Sequence, residues 1–97
     1  MLVHVVMFKL KDRTQEQAQA LKAKLDALPA KIDLIQSFEV GINTVESARA
    51  YDVVLISKFD SMESMQAYQV HADHQEVLAY VREVTDGIVA VDYEDVS

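Results

Sequence analysis

Residues 1–11 read M-L-V-H-V-V-M-F-K-L-K. Successive side chains of a strand point to opposite faces. One face of this stretch carries Leu2, His4, Val6, Phe8 and Leu10, and the other carries Val3, Val5, Met7, Lys9 and Lys11. Both faces are mostly apolar, so the stretch reads as a strand covered on both sides. Two further stretches share this character. Tyr51–Asp60 sets Tyr51, Val53, Leu55, Ser57 and Phe59 against Asp52, Val54, Ile56, Lys58 and Asp60. Asp86–Tyr93 sets Ile88, Ala90 and Asp92 against Val89, Val91 and Tyr93, with Gly87 read as helping the turn into it. Ile32–Asn43 is read as a fourth strand, with Phe38, Val40 and Ile42 on one face and Gly41 marking a bulge.

Helices fall between these strands. Thr14 with Gln17 forms a capping-box pattern, Ala18, Leu21, Leu25 and Leu28 follow at helical spacing, and Pro29 closes the run. Asp60 or Ser61 caps a second helix that runs to about Val70. A further helical stretch from about His74 to Val84 turns Val77, Leu78 and Val81 inward, with a break near His71–Asp73. Thr44–Ala50 is polar and reads as a loop. The order is βαββαβ, the ferredoxin-like unit, in a single domain over residues 1–97.

Its helices cover one face of a four-stranded antiparallel sheet. The other face still carries Val3, Val5, Met7, Val54, Ile56, Val89, Val91 and Tyr93. Burying one such side chain is worth roughly 1.5–3 kcal/mol. A soluble monomer rarely leaves so large an apolar patch in water. The economical arrangement is a homodimer with two sheets packed face to face, a dimeric α+β barrel. The alternative is a monomer whose second strand bends over that face.

Composition narrows the chemistry. The chain has 97 residues, 51% hydrophobic and 26% charged, which suits one small globular domain. Nine Lys and Arg against 16 Asp and Glu give a net charge of −7, unsuited to nucleic acid or an anionic membrane surface. There is no cysteine, so no disulfide framework or thiol nucleophile. Two glycines are too few for a phosphate-binding Gly-rich loop. Lys9 and Lys11 follow the first apolar run rather than preceding it, unlike a signal peptide, and the chain is read as cytoplasmic and starting at Met1.

Polar groups that can move protons are few: His4, His71, His74, Asp92 and Tyr68. His71 and His74 are spaced i, i+3, and with His4 or Asp92 they would make three ligands for a metal. Lone histidines on apolar faces are more often satisfied core groups, and no metal site is assigned. Alternation puts Asp92 on the helix side with His4. A carboxylate half-buried there needs a partner, and a histidine N–H is the obvious one. Such a pairing sets the tautomer of the ring and prepares a general base. The competing reading is a polar pair that ties the helix break to the sheet. The Tyr68 hydroxyl would donate to an oxygen that develops negative charge; its plainer role is a half-buried helix aromatic.

Five segments together resemble the stress-responsive A/B-barrel (Dabb) family of dimeric α+β barrels. They are H-V-V-M-F-K-L-K at residues 4–11, V-G-I-N at 40–43, Y-D-V-V-L-I-S-K-F-D-S at 51–61, A-Y-Q-V-H-A-D-H at 67–74 and V-D-Y-E at 91–94. The resemblance implies sheet-to-sheet dimers and a pocket between sheet and helices in each protomer. Plant polyketide cyclases of that family close a poly-β-ketone by an aldol reaction without a cofactor. By that resemblance His74 is the base, Asp92 its orienter, Tyr68 the substrate-contacting hydroxyl and His4 a further pocket histidine. His71 matches a histidine common in the family, here placed among the pocket residues with Val6, Phe8, Leu55, Val77 and Ile88. The first helix carries no aromatic where the cyclases have bulky ones, and Ala72 stands where they have proline. The expected activity is therefore cofactor-independent acid–base chemistry, lyase, cyclase or isomerase, on a small hydrophobic or carbonyl ligand. Alternatives are a non-catalytic stress-responsive binding protein and a cofactor-free monooxygenase.

Overall fold

The computed structural model describes residues 1–96. Seven elements follow one another: β1 (Leu2–Leu10), α1 (Gln15–Asp26), β2 (Ser37–Ile42), β3 (Val53–Phe59), α2 (Met62–Gln69), α3 (Ala72–Val84) and β4 (Thr85–Glu94). The strands form one antiparallel sheet in the order β2-β3-β1-β4. This is the ferredoxin-like arrangement, with α2 and α3 standing where the second helix of the unit belongs.

The helix starts are set by side chains that supply the missing acceptors of a first turn. Thr14 Oγ1 accepts from Gln17 N–H at 3.2 Å, and Ser61 Oγ accepts from Ser64 N–H at 3.1 Å. At α3 the cap is His71, whose Nδ1 accepts from Asp73 N–H at 3.1 Å. That cap starts α3 at Ala72, two residues before the expected start, and places His74 inside its first turn.

Three local expectations are corrected. The segment before Ser37 is not strand. Ile32 N–H bonds Leu28 O and Ile35 N–H bonds Ile32 O, so the chain turns there and plugs Ile32 into the core. Gly41 makes no bulge: Val40, Gly41 and Ile42 pair in unbroken register with Leu55, Val54 and Val53. Its role is close approach, because a Cβ there would lie 3.2 Å from Val54 Cγ1. Gly87 is likewise not a turn. It pairs with Lys9 inside β4, and the irregularity falls beside it, where the register jumps to Leu10 opposite Thr85.

The core lies between the sheet and the helices. Leu2, Val6, Phe8 and Leu10 of β1 meet Val53, Leu55 and Phe59 of β3, and Ala18, Leu21 and Leu25 of α1 close over them. Among the described residues no layer covers the opposite face. Val5 stands between Ile56 and Val91 in register, and Met7 between Val54 and Val89. Val91 is 62% exposed, and Met7, Val89 and Tyr93 are also open to solvent. Val3, expected to await a partner, is already buried in the single chain. Lys58 and Tyr93 flank it, and Lys58 Nζ lies 3.6 Å from Asp95.

Candidate functional site

A cavity of about 350 Å³ opens between the sheet and the pair α2–α3. His4, Val6 and Phe8 of β1, Leu55 of β3 and Ile88 and Ala90 of β4 form its floor. Tyr68, Gln69, His74, Gln75, Val77, Leu78 and Val81 wall it from above, and Leu25 of α1 contributes one side. Nothing covers β4 on one flank, because it is the edge strand, and Ile88 stays 42% exposed at the rim.

The floor has a polar end and an apolar end because of strand register. His4 lies opposite Asp92 on β4 and opposite Ser57 on β3. Two residues along, Val6 faces Ala90 and Leu55, and two further, Phe8 faces Ile88 and Val53. The helix above repeats this gradient. α3 begins beside His74 and ends where β4 starts, at Thr85 opposite Leu10, so Val81 overlies the apolar end.

At the polar end His4 Nδ1–H donates to Asp92 Oδ1. A carboxylate oxygen accepts, so Nδ1 carries the proton of this bond. This pairing replaces the expected contact between His74 and Asp92. The reason is geometric: His4 and Asp92 are direct cross-strand neighbours on one face, at the separation where side chains meet.

His74 finds a different anchor. Its Nδ1–H donates to the Gln69 carbonyl at 3.0 Å, and the same oxygen accepts from Gln75 Nε2 at 2.6 Å. That carbonyl is free because α2 stops at Gln69. A carbonyl only accepts, so Nε2 of His74 is also the unprotonated nitrogen. The His74 ring packs on Tyr68, centroid to centroid 4.4 Å, and Tyr68 packs on Phe59 at 4.9 Å. Burial pushes the His74 pKa below its ordinary 6.5. The Gln69 hydrogen bond opposes this, and nearby His4 and His71 add to the lowering. The ring is therefore a neutral base at physiological pH.

Tyr68 is almost wholly buried, and burial pushes its pKa up to about 12, so it stays a donor. Its hydroxyl has no hydrogen-bond partner among the described residues, yet no fully enclosed polar atom among them is left unpaired. The hydroxyl is therefore not fully enclosed, and Tyr68 lines the cavity.

Of the expected pocket residues, Val6, Phe8, Leu55, Val77 and Ile88 line the cavity. His71 does not; its ring nitrogen is spent on the α3 cap. Replacing His71 with alanine should cost about 1 kcal/mol of stability, while asparagine should retain most of it; chemical denaturation of the three proteins measures this. Gln69, Gln75, Leu25, Leu78, Val81 and Ala90 also line the cavity. Sequence patterning had no signal for the two glutamines, because their place depends on where α2 stops. Among the described residues no three His, Asp or Glu side chains gather as a metal site, and no helix is long and apolar enough to cross a membrane.

Sheet, one-sided helices and a polar-ended cavity place the chain among ferredoxin-like α+β proteins with a pocket between layers. The family model of the stress responsive A/B barrel domain matches residues 2–95, and the chain belongs to that family. A stress-response A/B barrel domain-containing protein of Arabidopsis thaliana is 30% identical over 92 residues, 93% of this chain and 35% of that protein. The chain spans less than half the length of the curated plant relatives it matches. A dimeric protein of unknown function and ferredoxin-like fold from Bacteroides fragilis is 31% identical, with a TM-score of 0.82 over 97% of this chain and 95% of that one. The hydroxynitrile lyase of Passiflora edulis shares the fold at 16% identity, with a TM-score of 0.84 over 99% of this chain and 94% of that one.

Proposed function

We propose that the chain is a cofactor-independent acid–base catalyst for a small carbonyl compound, working as a sheet-to-sheet homodimer. The observation that carries this reading is the His74 ring. It is neutral, held in one tautomer by the Gln69 carbonyl, and packed on the ring of Tyr68 in an open cavity that both residues line. His74 Nε2 removes a proton from the carbon next to a carbonyl. The Tyr68 hydroxyl donates to the carbonyl oxygen as it becomes an enolate. His4, held by Asp92, offers a second ring nitrogen for returning or relaying the proton. Aldol-type cyclisation and carbonyl isomerisation begin with this step, as do lyase reactions that eliminate a group β to a carbonyl, and a protein of the same fold, from Passiflora edulis, is a hydroxynitrile lyase. The homodimer rests on the uncovered face of Val5, Met7, Val89, Val91 and Tyr93 and on the dimeric Bacteroides relative.

Proton exchange tests the chemistry without knowledge of the natural substrate. Acetylacetone and methyl hexyl ketone in heavy water should exchange their α-protons faster with protein than in matched buffer, followed by proton NMR. Rates equal to buffer for both, with ligand binding saturable, would leave a binding protein and overturn the catalytic reading.

A further inference from the structure

The cavity carries a second kind of information, in its charges. None of the residues lining it is Lys, Arg, Asp or Glu. Among the described residues, the one carboxylate hydrogen-bonded to a lining side chain is Asp92, through His4 at the polar end. We infer that this site admits uncharged carbonyl amphiphiles and turns away carboxylates and phosphorylated carriers, with Asp92 as the residue that sets this preference. The inference rests on the acid–base reading for which end of the ligand meets His4, Tyr68 and His74.

Two costs fall on an anion here. A carboxylate entering the polar end loses water and gains no cation to replace it, and an uncompensated buried charge is costly. It also meets Asp92. That carboxylate is held on His4 and its side chain is 38% exposed, so water weakens but does not remove the repulsion between like charges. A ketone avoids both costs, since its oxygen needs only the Tyr68 hydroxyl. Its apolar body has a matching track. From His4 to Phe8 the floor runs four residues, about 13 Å at about 3.3 Å per residue, and turns from polar to apolar along the way. Val81 overlies that far end, where Ile88 lies beside Phe8 in the floor. At about 350 Å³ the space lies near the lower limit for small-molecule pockets, which suits a compact ligand.

The test compares methyl hexyl ketone with octanoate, which share an apolar body and differ in charge. Binding is followed by NMR titration of the full chain at about pH 8, above the ordinary histidine pKa. The ketone should give saturable shifts at Tyr68 and His74 and bind at least tenfold tighter than octanoate. Asp92→Asn keeps an oxygen to accept from His4 and removes the charge. It should improve octanoate binding severalfold relative to the ketone. Raising the salt concentration on the unaltered protein should narrow the gap in the same direction, a check that does not depend on the variant folding. Octanoate binding as tightly as the ketone, no saturable ketone shift, or no response of octanoate to both Asp92→Asn and salt would overturn the inference. Selective ketone binding without proton exchange would instead sink the acid–base reading and leave the charge preference standing.

Discussion

Replacing His74 with glutamine should slow enzyme-dependent α-proton exchange by roughly 10²–10⁴-fold, the usual worth of a positioned general base. Glutamine keeps much of the size and polarity of the ring, and His74 is only partly buried, so the fold should persist. What disappears is the Nε2 lone pair, which the Gln69 carbonyl holds available by taking the Nδ1 proton. The pH profile gives an independent check. The His74 pKa is lowered, so the base should gain competence as pH rises through a value below 6.5 and be fully active at neutral pH. The same shift acts on stability. The folded state favours the neutral ring, so this contribution is complete above the unfolded pKa of 6.5 and is lost as pH falls through the lower folded value. An exchange rate unchanged in the glutamine variant, with a melting curve like the parent's, would remove His74 from the mechanism. Asp92→Asn discriminates further. Because Asp92 holds His4 and not His74, it should slow exchange far less than loss of His74 does.

Replacing Val91 with aspartate should break the proposed homodimer. Val91 is 62% exposed in the single chain, so the change costs the isolated protomer little. In a face-to-face pair it sits on the uncovered face beside Val5, and twofold symmetry places two copies in one interface. Losing two buried valines at roughly 1.5–3 kcal/mol each weakens association by about 3–6 kcal/mol, roughly 10²–10⁴-fold in Kd. Burying two carboxylates adds to that. Sedimentation velocity over a concentration series reads the outcome. A variant that remains dimeric alongside a dimeric parent would place the interface elsewhere, and a parent that stays monomeric at high concentration would dismiss the dimer.

Much of this was legible in eleven residues. The alternation in Met1–Lys11 already shows a strand with two apolar faces, and the structure splits it along that division. His4, Val6 and Phe8 face the helices, and Val5 and Met7 face outward. The helix caps at Thr14 and Ser61 were also readable, because capping is a contact between residues three apart in sequence. The cap at His71 was not, since histidine is not among the usual capping residues.

The amino-acid sequence by itself determined which side chains share a face, where most helices begin, and that His4, Tyr68, His71, His74 and Asp92 are the candidate groups for moving protons. Those are properties of the period of a strand or helix and of side-chain chemistry, so they need no neighbour. Only the tertiary structure decided the partners. Asp92 pairs with His4 because the β1–β4 register sets them opposite each other. His74 takes the Gln69 carbonyl because α2 ends there and α3 restarts after His71. Periodicity tells which way a side chain points but not what it meets. Register, the β4 irregularity beside Lys9 and the break between two helices are long-range facts, and they settled which histidine the aspartate holds.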